Sequence, residues 1–438
     1  MRRFLRSPQD LDRLPSIRQT SLNLPTIHTL PNRFRVVAEH VPHVNSVSAG
    51  LWLAQGSRHE GALENGMTHF SEHLLFKGTP GRHWQQIARE INQLGGHFNA
   101  VTSTDWVKVY GHVISRDLPQ TLRLMADMFL DSTFPEVEVK REREVILEEI
   151  AQYEDIPEDL CYELFTQALL LPHPVGRPVI GSAELVSSFT RTQLHEYWLS
   201  RLAPERMILS LVGNFEEPAT LALVEELFGG LNLPAQPLLG MDAAPGKRES
   251  IALERDLEQV NFCFGVTGPK RGQDDRFAWS VYDTILGGGM GSRLFDEVRE
   301  RRGLAYSIGS SINTMHEAGY MMVSGSTRPE TADMAVQICR EEIRKLADAG
   351  PEGHELDTAR QQLERSHLLS IESLGLRASI NGERALYGLP FLTTDELLRR
   401  IASVTKEDVQ TIAREVEDFG EPAMCVVGPL KKSKKAKR

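Results

Sequence analysis

The chain has 438 residues, 41% of them hydrophobic, and 49 Lys and Arg against 60 Asp and Glu give a formal net charge of −11. That length predicts two or more domains with ample buried core. No apolar run approaches the ~18 residues of a membrane helix, which excludes a membrane span, and the acidic balance argues against a general nucleic-acid binder and for basic ligands wherever the acids line a cavity.

The N-terminal Met1-Arg2-Arg3-Phe4-Leu5-Arg6 is basic but lacks the apolar stretch of a secretory signal, and Asp10 and Asp12 arrive too early for a transit peptide. Residues 1–24 are therefore read as a disordered or extended N-terminus of a cytoplasmic protein. The four cysteines, Cys161, Cys263, Cys339 and Cys425, form no C-x-x-C and are read as buried, reduced thiols.

The run His69-Phe70-Ser71-Glu72-His73 is the first with chemistry in it. Histidines four apart share one face of a helix, so both imidazoles can reach one metal ion. Glu72 projects near the same spot, placed to take a proton from a water at the metal. H-x-x-E-H is the inverse of the common zinc-protease order. Further along, residues 86–94 carry Ile87, Ile91 and Leu94 on one helical face and stop at Gly95-Gly96. An alternating stretch through Val101, Trp106-Val107 and Val109-Tyr110 follows.

Residues 142–149 lie in a charged helical stretch. Glu142 and Glu149 are two turns apart and share a face. One can bind metal while the other holds a histidine or a water; by itself, an E/R-rich run is a solvated helix. Asp159 and Glu163 are spaced i, i+4, and form either one acidic site or two solvated carboxylates near Pro157.

The first half closes on the β-type run 207–213. A stretch rich in Pro, Gly and Ala follows and reads as a linker. The second half then repeats the order. Residues 293–302 place Leu294 and Val298 on one helical face and stop at Gly303, alternating stretches follow at 305–310 and 320–324, and residues 424–428 close it. The offsets from Gly96 to Gly303 and from Gly213 to Gly428 nearly match, which argues for an internal duplication. At the position duplicating the histidine pair stands Trp279-Ser280-Val281-Tyr282-Asp283, without a metal motif. Gly287-Gly288-Gly289-Met290-Gly291 lacks the Lys of a phosphate loop and reads as a flexible loop beside a substrate chamber or a tight turn between helices. The basic tail 431–438 reads as solvated, or as a contact for RNA or an anionic membrane.

Taken together, His69-Phe70-Ser71-Glu72-His73-Leu74-Leu75-Phe76-Lys77-Gly78-Thr79 and the later E-R-x-V-I-x-x-E ending at Glu149 resemble the pitrilysin/insulinase family of zinc peptidases, the inverzincins. The nearest branch is the one like the mitochondrial processing peptidase. The resemblance runs from Leu30-Pro31-Asn32 through Gly56-Ser57-Arg58, Gly95-Gly96, Asn99-Ala100 and His173-Pro174 to Gly303-Leu304-Ala305-Tyr306. It implies His69, His73 and Glu149 as zinc ligands, Glu72 as general base and Glu142 as support for the ligands. It also implies Asn99 and Ala100 on an edge strand to which substrate adds, and Asp159 and Glu163 as receivers of a substrate arginine. Arg299 and Tyr306 match the pair with which the family holds substrate; read without the resemblance, they are a surface salt bridge and a core tyrosine. Three positions depart from the family pattern: Ser71 stands for an apolar residue, Arg33 for a glycine, and His97 for a small or acidic residue.

The expectation is an α+β chain of two homologous domains, each a mainly antiparallel sheet covered by helices, facing each other as a clamp. Residues 25–232 form the zinc-binding catalytic domain, 233–248 the linker, and 249–430 the substrate-binding domain without metal. The function implied is a Zn2+-dependent endopeptidase acting on extended peptides or unfolded segments inside a two-domain chamber, as a monomer or homodimer. The competing reading is a non-catalytic scaffold, or a partner subunit of a heterodimeric processing peptidase. The presence of His69, Glu72, His73, Glu149, Arg299 and Tyr306 in one chain favours the enzyme.

Overall fold

The structure is a computed structural model and describes residues 24–235 and 246–430. The N-terminal extension up to residue 23, the middle of the linker and the basic tail lie outside the described residues. Among the described residues, no helix is long and apolar enough to cross a membrane.

The first half begins with strands β1 (Thr26–Thr29), β2 (Arg35–His40) and β3 (Ser46–Leu53) and helix α1 (Met67–Leu74). A short hairpin of β4 (Gly78–Thr79) and β5 (Arg82–His83) leads into α2 (Trp84–Leu94), then β6 (His97–Thr102) and β7 (Val107–Ile114). Five helices follow, α3 (Leu118–Leu130), α4 (Glu136–Asp155), α5 (Pro157–Leu170), α6 (Ala183–Ser188) and α7 (Arg191–Arg201), before β8 (Met207–Gly213) and α8 (Glu217–Phe228). The second half runs β9 (Ser250–Glu254), β10 (Val260–Thr267), α9 (Arg276–Leu286), β11 (Ala305–Thr314) and β12 (Gly319–Thr327). Helices α10 (Ala332–Ala349), α11 (Gly353–Ser370), α12 (Leu374–Leu386), α13 (Thr394–Ser403) and α14 (Lys406–Asp418) precede the last strand, β13 (Ala423–Gly428).

The duplication is visible in the sheets. The first has the order β1-β2-β8-β3-β7-β6, the second β11-β12-β10-β13-β9. Reversed, the second sheet repeats the first strand for strand, lacking only a counterpart of β1. Even the single parallel pair recurs: β2 with β8 in the first, β9 with β13 in the second, all other pairs being antiparallel. Strands β3 and β8 lie centrally and are buried almost throughout, so they read as mainly apolar runs, interrupted by the buried Ser48 and Ser210.

Each sheet has its own helices on one face. Phe70, Leu122, Phe129, Ile146 and Trp198 join Val36, Leu51 and Leu209 in the first core, and Val281, Leu286, Ile338 and Ile412 join Phe264 and Val323 in the second. The other faces are covered by exchange. From the first half, α5 lays Cys161, Phe165 and Leu169 on Cys263, Tyr320 and Cys425 of the second sheet. From the second half, α12 lays Leu374 and Ala378 on Val41 and Val212 of the first sheet, and Ala385 on Val37, Trp52 and Ile208. A buried polar cluster reinforces the junction. Arg58 Nε lies 2.6 Å from Asp105 Oδ1 and its guanidinium pairs with Glu317, while Tyr387 Oη donates to Asp105 at 2.8 Å. The four cysteines are buried free thiols.

One expected helix differs in kind. Residues 295–300 wind as a π-helix, with Arg301 N–H bonded to Asp296 O five residues back, before Gly303 turns the chain at φ +59°. The widened turn still buries Leu294 and Val298, as their spacing predicts. The glycine run before it forms a turn between α9 and this segment. A Cβ on Gly287 would come within 2.2 Å of the Ser310 amide nitrogen, so only glycine fits there.

Candidate metal centre

Helix α1 is amphipathic in a way that decides what its histidines do. Met67, Phe70, Ser71 and Leu74 are buried, and His69, Glu72 and His73 remain on the less buried side. The helix starts at Gly66, whose φ of +100° suits glycine, and a Cβ there would meet Ile180 O at 2.8 Å. Its free first-turn amides are taken by Glu60, a fully buried carboxylate. Gly66 N–H donates to Glu60 at 2.8 Å and Thr68 N–H at 2.7 Å, and the Asn65 side chain adds a third bond at 3.1 Å. The metal-motif helix is thus fixed at its N-terminus by a side chain nine residues before the first histidine.

Helix α4 packs against α1 and brings the two glutamates to the histidines. Glu149 Oε2 lies 3.9 Å from His69 Nε2 and 3.6 Å from His73 Nε2. One ligand atom from each of His69, His73 and Glu149 falls within 4.8 Å of the others, the only such group among the described residues. One ion with bonds of ~2.0–2.2 Å fits between ligands so spaced. Glu142 plays the other role. Its Oε2 accepts from His73 Nδ1 at 3.1 Å, and its Oε1 pairs with Lys77 at 2.7 Å. A carboxylate only accepts, so the proton sits on Nδ1 and the Nε2 lone pair faces the centre. Burial works against the Glu142 carboxylate, but the His73 and Lys77 bonds outweigh it and hold its pKa below the ordinary range. Burial, with His73 alongside, pushes His69 down to about 3, which keeps its imidazole neutral and able to ligate. The residues present therefore fit a zinc ion by donor type, spacing and protonation.

Glu72 lies at the rim of this group. Thr102 Oγ1 of β6 donates to its Oε2 at 2.5 Å. Burial raises the Glu72 carboxyl above its usual value; the Thr102 bond and His73 oppose the rise, and Glu149 adds to it.

These side chains open into a cavity of about 880 Å³. Strand β6 is the edge of the first sheet, and Asn99, Ala100 and Thr102 form one wall. Asn99 is exposed, and its side chain accepts from Ala100 N–H at 2.9 Å. Asp159 and Glu163 of α5 line the cavity together with Tyr153 and Tyr162, and Asn313 and Tyr320 close it from the second half. Asp159 is exposed, whereas Glu163 is half-buried and bonded to Gln167 at 3.1 Å. Burial, then Glu154, raises the Glu163 carboxyl.

Arg299 and Tyr306 are together, but elsewhere. The Arg299 guanidinium sits 5.4 Å over the Tyr306 ring, and neither residue lines the metal cavity. Tyr306 lies on β11, the edge of the second sheet, and is 77% exposed. It is not a core residue, which corrects the reading of it made without the resemblance; the register shift beside Ala305 turns it outward. Sequence reasoning missed Glu60 and Thr102. The first stands just past the matched Gly56-Ser57-Arg58, but no periodicity links it to α1. The second meets Glu72 only because β6 folds back beside α1.

The model of the insulinase family, peptidase family M16, matches residues 35–183, and that of the peptidase M16 inactive domain matches residues 188–363. A protein of Mycobacterium tuberculosis named an uncharacterized zinc protease is 40% identical, over 88% of this chain and 89% of its own length. A Bacillus subtilis protein with the same description is 33% identical over 92% of this chain and 98% of its own length. Among solved structures, one titled a peptidase M16 inactive domain from Pseudomonas fluorescens superposes with a TM-score of 0.86 at 23% identity, covering 94% of this chain and 99% of its own. A protease from Helicobacter pylori gives 0.85 at 20% identity, over 93% and 100%. Both structures share the fold.

Proposed function

The chain belongs to the insulinase family of peptidases, family M16, and on that premise we propose that it is a zinc-dependent endopeptidase acting on extended peptide segments. The observation that carries this reading is the convergence of His69, His73 and Glu149, with Glu72 beside them at a cavity wall formed by an edge strand. When bound there, zinc supplies Lewis-acid polarisation of the scissile carbonyl and of the attacking water.

The rest is the work of the chain. Glu72, with one oxygen held by Thr102, takes a proton on the other and returns it to the leaving amine. Glu142 keeps the His73 proton on Nδ1. An extended substrate adds to β6 beside Asn99 and Ala100 through main-chain hydrogen bonds, which read backbone more than side chain and so leave specificity loose. Asp159 and Glu163 receive a basic side chain of that substrate. Arg299 and Tyr306 reach it from a second copy of the chain in a homodimer, since they lie outside the cavity of their own.

The test is cleavage of a peptide library by zinc-loaded protein, read by mass spectrometry, beside Glu72→Gln. The variant is expected to keep one zinc per chain while turnover falls ~10²–10⁴-fold, the usual contribution of a general base. Wild-type turnover in the variant would remove Glu72 from the mechanism. No cleavage by the zinc-loaded wild type would remove the peptidase.

A further inference from the structure

A second cavity, of about 490 Å³, lies at the junction of the halves and away from the metal centre. Glu39 of the first half, helix α12, the start of α9 and helix α13 wall it. Five of the residues lining it are arginines. Two have carboxylate partners within the cavity: Arg377 pairs with Glu39, and Arg271 with Glu383 at 2.5 Å. Arg400 bonds Glu396 at 2.8 Å. Arg276 and Arg384 are different, for neither forms an ion pair with a carboxylate among the described residues. Arg276 donates only to backbone oxygens, at 2.8 Å to Gln273 and 3.4 Å to Gly272, and Arg384 donates to Pro390 O.

The Arg384 guanidinium is within the field of Arg276. Burial lowers the Arg384 pKa, Arg276 and Arg400 lower it further, and Glu383 opposes; burial and Arg400 lower that of Arg276, with Asp274 and Asp275 opposing. His367, half-buried beside Arg384, has its pKa lowered by burial and then by Arg384, and its Nε2 has no hydrogen-bond partner among the described residues. Five lining arginines face three carboxylates, Glu39, Asp274 and Glu383, of which Glu39 and Glu383 are already committed to Arg377 and Arg271, so the cavity keeps an excess of partly buried positive charge that an entering anion would relieve. The chain's own N-terminus is a poor candidate, since residues 1–23 carry five arginines against two aspartates. Apolar side chains, Ile371, Ile380, Phe391 and Leu397, line the same cavity.

We propose that this cavity binds a phosphate monoester with a compact apolar body, its dianionic phosphoryl group held by Arg276 and Arg384. Two unpaired arginine forks match the charge and the oxygens of a phosphoryl dianion. The volume is that of a small-molecule site. Because α12 and the first sheet both wall it, an occupant would brace the exchanged helix in place.

Titration calorimetry and thermal unfolding of the full chain with phenyl phosphate, benzoate and inorganic phosphate test the assignment. Phenyl phosphate is expected to bind once per chain and to raise the unfolding temperature. Benzoate, with one charge, should bind at least tenfold more weakly, and inorganic phosphate more weakly than phenyl phosphate. The double variant Arg276→Gln/Arg384→Gln should bind phenyl phosphate at least tenfold more weakly while its unliganded unfolding temperature holds or rises, because a repulsion has gone. Arg384→Lys keeps the charge but loses the fork and should fall between the two. Exposed Arg123→Gln should bind as wild type does. Absence of saturable binding, undiminished binding by the double variant, or benzoate binding as tightly as phenyl phosphate would overturn the proposal.

Discussion

Glu142 and Glu149 show how two identical side chains on one helix face acquire different tasks. Glu149 meets the Nε2 atoms of both histidines, whereas Glu142 is committed to His73 Nδ1 and Lys77. Glu149→Gln should therefore lose stoichiometric zinc. Glu142→Gln should retain it with affinity weakened ~10–100-fold, the usual effect of removing a group that orients a ligand. Metal analysis across a series of chelator concentrations checks both; retention of full affinity by Glu149→Gln would exchange or abolish the assignments. Residue type and spacing made the histidine pair legible in the sequence, but could not say which glutamate comes to the two histidine Nε2 atoms, because a shared face does not fix distance. Arg33 is a similar case. It departs from the family's glycine, and the structure holds it at φ +74°, the left-handed region that favours glycine. Ser71, the other departure on the core side, is fully buried with its hydroxyl unpartnered among the described residues. Nothing in the structure explains that choice.

Among the elements, α12 is the one whose place no local pattern announces. Its sequence marks a helix with a buried face, but the strands it covers lie far back in the chain, from 168 residues at Ser210 to 338 at Glu39. Gly382 sets how close it comes. A Cβ there would stand 2.3 Å from Trp52 Nε1, so the helix and the sheet meet across a bare backbone. Gly382→Ala should destabilise the protein by ~1–2 kcal/mol, an overpacking cost of ~1–3 kcal/mol offset by up to ~1 kcal/mol of helix propensity. Urea unfolding gives the total, and hydrogen exchange should show the loss of protection centred on α12. An unchanged midpoint would mean that Trp52 moves aside without resistance. The strands named in the sequence were more legible, because β8 is a long apolar run and β7 alternates; β3 and β10 were not singled out. The π-helical turn at 295–300 was not, since its apolar spacing is equally that of an α-helix.

For the whole molecule, the internal repeat foretold two sheets of one topology, and the position of Arg299 and Tyr306 now bears on how many chains make one active unit. Tyr306 lies on the edge strand of the second sheet and Arg299 on the π-helical turn before it, both outside the cavity that holds His69, Glu72 and His73. If they serve a second copy, mixing a Glu72→Gln chain with an Arg299→Ala/Tyr306→Phe chain should restore activity that neither has alone, up to about a quarter of wild type when exchange is random. A mixture as inactive as its components would assign the pair to its own chain or to no catalytic task. The exchange of α5 and α12 carries a different consequence. A chain severed between residues 236 and 245 gives two pieces, each with one bare sheet face and one helix that belongs on the other piece. Such pieces are predicted to fold poorly when made separately and to reassemble in equimolar mixture into a stable noncovalent complex, so that the chain would serve as a split reporter whose halves recognise each other by what each lacks.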